Sequence, residues 1–206
     1  MRAVVGSLVL CAALAPTALA QTAAVAQDAT SEVKQLHPVS VAPLRELLVK
    51  TQGLIEAGEL NTQDTFDFTL EADRNSDGTL RDIKFINAQA GNQRWQALVT
   101  EFITVLNDSR VLSALQDADH LTITLKLDER ASAILHTVVK SDEHAAQLAQ
   151  GYNRLLAVGR LSRRGRAGAE VLNNMAFNAN GKQLTMHLEM TREQAGNLLR
   201  KHLSLP

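Results

Sequence analysis

The chain has 206 residues, 45% of them hydrophobic and 21% charged, with a formal net charge of −1, one cysteine and only seven aromatic residues. That is the profile of one globular domain plus appendages, long enough to bury a real core. A near-neutral chain lacks the basic surface that a phosphate backbone requires, and so few aromatics supply no stacking platform for single strands or sugars. Nucleic-acid binding is therefore excluded, and the core must be built from Leu, Val, Ile and Ala.

Met1-Arg2, an apolar run from Ala3 to Ala15, Pro16 and then Ala18-Leu19-Ala20 form the n-region, h-region and A-x-A site of a secretory signal. Export is expected, with cleavage after Ala20 or, at a second A-x-A, after Ala26. The alternative is an uncleaved inner-membrane anchor over residues 3–26, the one route by which this chain would meet a membrane. Cys11 lies in the h-region. Removal of residues 1–20 takes away Arg2 and no acid, leaving a net charge of −2 and no cysteine, so an oxidising compartment has nothing to oxidise. Residues 21–40, rich in Ala, Gln, Thr and Ser without an apolar period, are expected to be a flexible tether.

Pro43 suits a first helical turn, and Leu44, Leu47, Leu48, Leu54 and Ile55 keep a helical period, which predicts a helix over about 43–57 ended by Gly58. Phe66, Phe68, Leu70 and Ala72 alternate with polar residues, Asn75-Ser76-Asp77-Gly78 is turn chemistry, and Leu80–Ile86 returns, so a hairpin is expected. A helix follows from about Gln93, with Trp95, Leu98, Val99, Phe102, Val105 and Leu106 on one stripe, and Val111, Leu112 and Leu115 form a short continuation. Leu121–Leu127 alternates cleanly. Ala133–Val139 is apolar on both faces apart from His136 and Thr137, as a more central strand would be. Ser141 caps a helix to about Gly159, a short helix spans about Ala169–Met175, Leu184–Met190 alternates, and Thr191 with Gln194 is a capping box opening the last helix. The expected order is α-ββ-α-ββ-α-α-β-α: an α+β fold, an antiparallel sheet packed against helices. In domain terms, residues 1–20 are signal or anchor, 21–40 tether, 41–61 leading helix, 62–130 a ββαβ unit, and 131–206 a second βααβα portion on the same core.

Chemistry-bearing motifs are sparse. Asp73-Arg-Asn75-Ser-Asp77-Gly78-Thr-Leu80 matches the start of a calcium-binding EF-hand loop, but Arg81 and Lys84 stand at its ninth and twelfth positions, where oxygen ligands belong, and its flanks are strands. It is taken as a hairpin turn. The six histidines contain no H-E-x-x-H, and His187-Leu-Glu189 lacks the Cys-x-x-Cys that a deaminase zinc site needs. No metal or cofactor is expected. The enzyme alternative, an exported enzyme or small-ligand binder, would centre on His136 and His187. The cluster Arg154, Arg160, Arg163, Arg164 and Arg166 is a candidate surface for an acidic partner or anionic lipid, or a solvated loop; Met186 and Met190 are taken as core.

The block from Phe66 to Leu127 resembles the C-terminal domain of the TonB family: a strand closing on Asn75-Ser-Asp77-Gly78, a return strand, the small-residue segment Ala88-Gln-Ala90-Gly91-Asn92, an amphipathic helix and a further strand. The resemblance implies a non-catalytic periplasmic protein-binding module, linked to energy transduction or transport, that pairs a partner peptide onto its sheet edge. On that reading strands 121–127 and 184–190, which alternate, belong toward the sheet margin. Thr122, Thr124, Lys126, Thr185 and His187 then become candidate partner-binding residues, with Arg160, Arg163 and Arg164 beside them.

Overall fold

A computed structural model describes residues 40, 42–61, 63–115, 117–162 and 167–203. The leader, most of the tether and Arg163, Arg164 and Arg166 lie outside the described residues. Among the described residues the first helix, α1, spans Ala42–Glu56. The hairpin strands β1 (Phe66–Arg74) and β2 (Leu80–Ala90) follow, then α2 (Gln93–Ser109) and a 3-10 turn over Val111–Ala114. A second hairpin pairs β3 (His120–Leu127) with β4 (Arg130–Val138), and α3 (Asp142–Ser162) and α4 (Ala167–Asn173) come next. The third hairpin joins β5 (Met175–Asn180) to β6 (Gln183–Thr191), leading into α5 (Arg192–Leu203). The fold is α+β, a leading helix followed by three hairpin-plus-helix units.

Three of the helix starts are set by local capping contacts. Asn92 accepts from the Arg94 N–H (2.9 Å), Ser141 Oγ from the His144 N–H (3.2 Å), and Thr191 and Gln194 close the expected capping box at 2.9 and 3.2 Å, each satisfying a donor that the first helical turn leaves over. The sheet order is β2-β1-β3-β4-β6-β5, every pair antiparallel. The alternating residues Phe66, Phe68, Leu70 and Ala72, Leu121 to Leu127, Ala131 to Leu135, and Leu184 to Met190 turn to one face, where they meet the helices in one core that includes the expected Met186 and Met190.

β5 departs from expectation. Met175-Ala-Phe-Asn-Ala-Asn buries only Met175 and Phe177, and its two asparagines favour turns over strands, so it carries almost no strand signal. The expected short helix correspondingly ends at Asn173, before Met175. β2 likewise runs on to Ala90 through the small residues that mark no period.

Among the described residues no helix is long and apolar enough to cross a membrane. Arg192, at the start of α5, donates to the backbone carbonyls of Asp128 and Asp64, tying the β3–β4 turn and the loop before β1 to the last helix.

Candidate functional site

The face of the sheet opposite the core carries half-buried and exposed side chains on every strand. Register sets them in rows. Lys84, Glu71, Thr122, His136, Thr185 and Asn178 follow one another across the six strands, and Asn87, Thr69, Thr124, Ile134, His187 and Ala176 form the next row. Thr122, Thr124, Lys126, Thr185, His187 and His136 are therefore brought onto one surface from two hairpins. Thr69 and Thr124 hydroxyls lie 3.2 Å apart, and His136 Nδ1 lies 2.8 Å from Thr185 Oγ1. His187 Nε2 is 3.3 Å from Glu189, which also pairs with Arg130. His136 thus meets a hydroxyl, and His187 a carboxylate that is shared with an arginine.

Lys126 Nζ sits 2.9 Å from Asp128. The hydrogen bond to Asp128 raises the ammonium pKa. The Arg130 N–H, followed by Lys126, holds the Asp128 carboxyl below the usual carboxylate range. Around them a shallow concavity of about 680 Å³ is lined by residues including Asp67, Gln89, Ala90, Lys126 and Asp128. Neither His136 nor His187 lines it.

The edge assignment is corrected. β3 lies between β1 and β4, and β6 between β4 and β5. Both strands have ladder partners on each side, so Thr122, Thr124, Lys126, Thr185 and His187 present side chains but no open backbone. Alternation reports one covered face, and in a two-layer fold an internal strand has that too. β4 is internal as expected, yet it is not apolar on two covered faces: Ser132, Ile134 and His136 are half-buried on the open face and Val138 is 65% exposed.

The true margins are β2 and β5. On β5 the residues whose backbone groups point away from β6 are Met175, Phe177 and Ala179, since Glu189 N–H bonds Asn174 and fixes the alternation. Asn153 on α3 donates to Phe177 C=O (2.7 Å) and accepts from Phe177 N–H (3.0 Å). Arg160 donates to the carbonyls of Leu172 and Met175, both at 2.7 Å, so its guanidinium is spent on the fold and not held out toward a partner. On β2, Asn107 of α2 makes the same paired contact with Leu80, at 2.7 and 3.2 Å. Beyond it β2 is different. The bond from Gly91 N–H to Thr65 C=O sets Gln89 and Asn87 toward β1 and turns the backbone of Ala88 and Ala90 outward. Phe85 and Ile86 nearby are 43% and 61% exposed.

The acidic turn keeps its ligand-like side chains occupied. Asp77 Oδ1 accepts from the Thr79 N–H and hydroxyl (3.0 and 2.7 Å), Asn75 donates to Thr79, and Asp73 pairs with His120 and Arg81. The hydrogen bond from His120, helped by Arg81, lowers the Asp73 pKa. Titration with millimolar calcium is expected to show no saturable heat, because the site closure that a bidentate Glu provides is replaced by Lys84; a saturable signal lost in Asp77→Ala would refute this.

Compared with protein-family models, curated protein sequences and solved structures, the chain finds no match.

Proposed function

We propose that this is a non-catalytic, exported binding module of the cell envelope that captures an extended segment of a protein partner on the outer edge of β2. The observation that carries the reading is the outward-facing backbone of Ala88 and Ala90, without a partner among the described residues, beside exposed Phe85 and Ile86: ladder groups without a ladder, next to apolar surface, are what strand addition uses. The secretory pattern of residues 1–20 and the TonB-like order of elements over Phe66–Leu127 support placing the module in the periplasm, with the inner-membrane anchor as the other arrangement of the leader. Transport or energy transduction would be served through that partner.

Ala88→Pro removes an outward N–H while leaving the β1–β2 ladder intact. It is expected to weaken capture of partners from envelope extract by about tenfold, the worth of a hydrogen bond and its neighbours, whereas Ala88→Ser, which keeps the N–H, retains them. Both variants are first checked by circular dichroism. If folded Ala88→Pro recovers every partner that the native domain recovers, the β2 edge is not the docking site.

A further inference from the structure

We propose that the protein segment captured on β2 carries a lysine or arginine opposite Gln89, set between two large apolar residues opposite Ala88 and Ala90, and that Asp67 receives its charge. The inference rests on capture at the β2 edge and adds to it the chemistry of what is captured.

Two different surfaces meet at the outer edge of β2, and register tells them apart. Ala88 and Ala90 pair with the core residues Phe68 and Phe66, and Phe85 with Leu70, so these three β2 side chains stand on the helix side of the sheet. All three are exposed. A strand added to this edge in either direction keeps the pleat, so its residues opposite Ala88 and Ala90 stand on the helix side as well. There they lie over methyl groups and beside the Phe85 ring, where a large apolar side chain buries the most surface. Gln89 pairs with Asp67, and Asp67 with Lys126, on the open face. The residue opposite Gln89 therefore extends the row Gln89-Asp67-Lys126, at the rim of the concavity that these residues line with Asp128.

The charge of that concavity selects the residue. Asp67 and Asp128 bring two carboxylates to its lining and Lys126 one ammonium. Lys126 lies 2.9 Å from Asp128, which leaves Asp67 as the carboxylate in excess. Asp67 accepts from the Asn87 amide at 3.1 Å, a neutral partner. Neighbouring strands lie about 4.8 Å apart, so an added strand runs about 10 Å from β1. A short side chain cannot cross that gap, whereas a lysine or arginine reaches Asp67 with its stem laid over Gln89. A glutamine there would leave Asp67 unneutralised, and a glutamate would bring a third carboxylate to the same row, where like charges repel.

The test uses the full chain and a set of labelled synthetic peptides that differ at one central position, Lys, Arg, Gln or Glu, with a valine on each side and Ser and Thr elsewhere. Binding is read by fluorescence anisotropy. On the native chain the Lys and Arg peptides should bind about threefold more tightly than the Gln peptide and about tenfold more tightly than the Glu peptide, the scale of a cross-strand charge pair and its reversal. Raising the salt to about 1 M should bring the four together. In Asp67→Asn, which keeps the shape of the side chain, the Lys and Gln peptides should bind alike at low salt. Ala88→Pro should weaken all four peptides.

Four peptides that bind the native chain equally, and are all weakened by Ala88→Pro, would overturn the basic residue and leave β2 as the docking edge. That comparison needs no change at Asp67, so it decides the matter even if Asp67→Asn does not fold. A Lys preference that survives in folded Asp67→Asn would show that the charge is received elsewhere, and the assignment to Asp67 would be wrong. Binding of none of the peptides, or binding that folded Ala88→Pro leaves unchanged, would remove the β2 edge itself, and this inference with it.

Discussion

Trp95→Ala is expected to lower the unfolding free energy by about 3–5 kcal/mol, the usual cost of deleting a large buried aromatic. Trp95 is fully buried, and its ring centroid lies 5.0 Å from that of Phe66, which in turn lies 5.6 Å from Phe68. Truncation therefore opens a hole where α2 meets the first hairpin, between elements that are both anchored at other points and cannot close over it. The indole has a second property: its N–H is buried with no hydrogen-bond partner among the described residues. Such a donor costs about 1–3 kcal/mol, so Trp95→Phe, which loses volume but also loses the orphaned donor, should stay within about 1 kcal/mol of native stability, the two effects offsetting. The chain has one tryptophan, so urea melts must be followed by circular dichroism. If Phe costs as much as Ala, the indole N–H has a partner after all. If Ala costs under about 1.5 kcal/mol, the site collapses far more easily than the packing implies.

Gly78→Ala should destabilise by about 2–5 kcal/mol, through two causes that add. The residue has φ +87°, where a Cβ costs roughly 1–2 kcal/mol in backbone strain. That Cβ would also lie 2.3 Å from Ser113 N and 2.6 Å from its Cα, and displacing the 3-10 turn carries the cost of overpacking, about 1–3 kcal/mol. The nearest atoms are backbone, so Ser113→Gly should not rescue Gly78→Ala. Rescue to within about 0.5 kcal/mol of Ser113→Gly alone would show that the side chain, 2.8 Å away, is the true obstacle. Thermal melts of the two single variants and the double variant decide it.

The same glycine shows how far local chemistry reaches. Asn75-Ser-Asp77-Gly78 announces a turn in any context, but that Ser113 presses against it is a fact about a segment 35 positions on. Likewise Thr191 and Gln194 specify a capping box by spacing alone. The alternations from Phe66, Leu121 and Leu184 specify strands with one covered face, because a period of two is a property of the strand itself.

Lateral order is a different matter. Which strand lies beside which is settled by backbone hydrogen bonds, and these draw on N–H and C=O groups that every residue but proline carries, so β3 and β6 look like margins in the sequence while β2 and β5 are the margins in the fold. The candidate surface divides the same way. Thr122, Thr124, Lys126, Thr185 and His187 are legible as the polar side of alternating strands, and register alone unites them with His136. Nothing near Asn107, Asn153 or Arg160 marks them as clamps, since their partners, Leu80, Phe177 and Met175, are apolar residues contributing only main chain. The sequence by itself thus determined the helices, the first hairpin turn and the faces of the clean strands, all of which rest on interactions within a few residues. Only the tertiary structure decided the strand order, the existence of β5 and which edge stays open, because those depend on main-chain groups whose partners leave no side-chain signature.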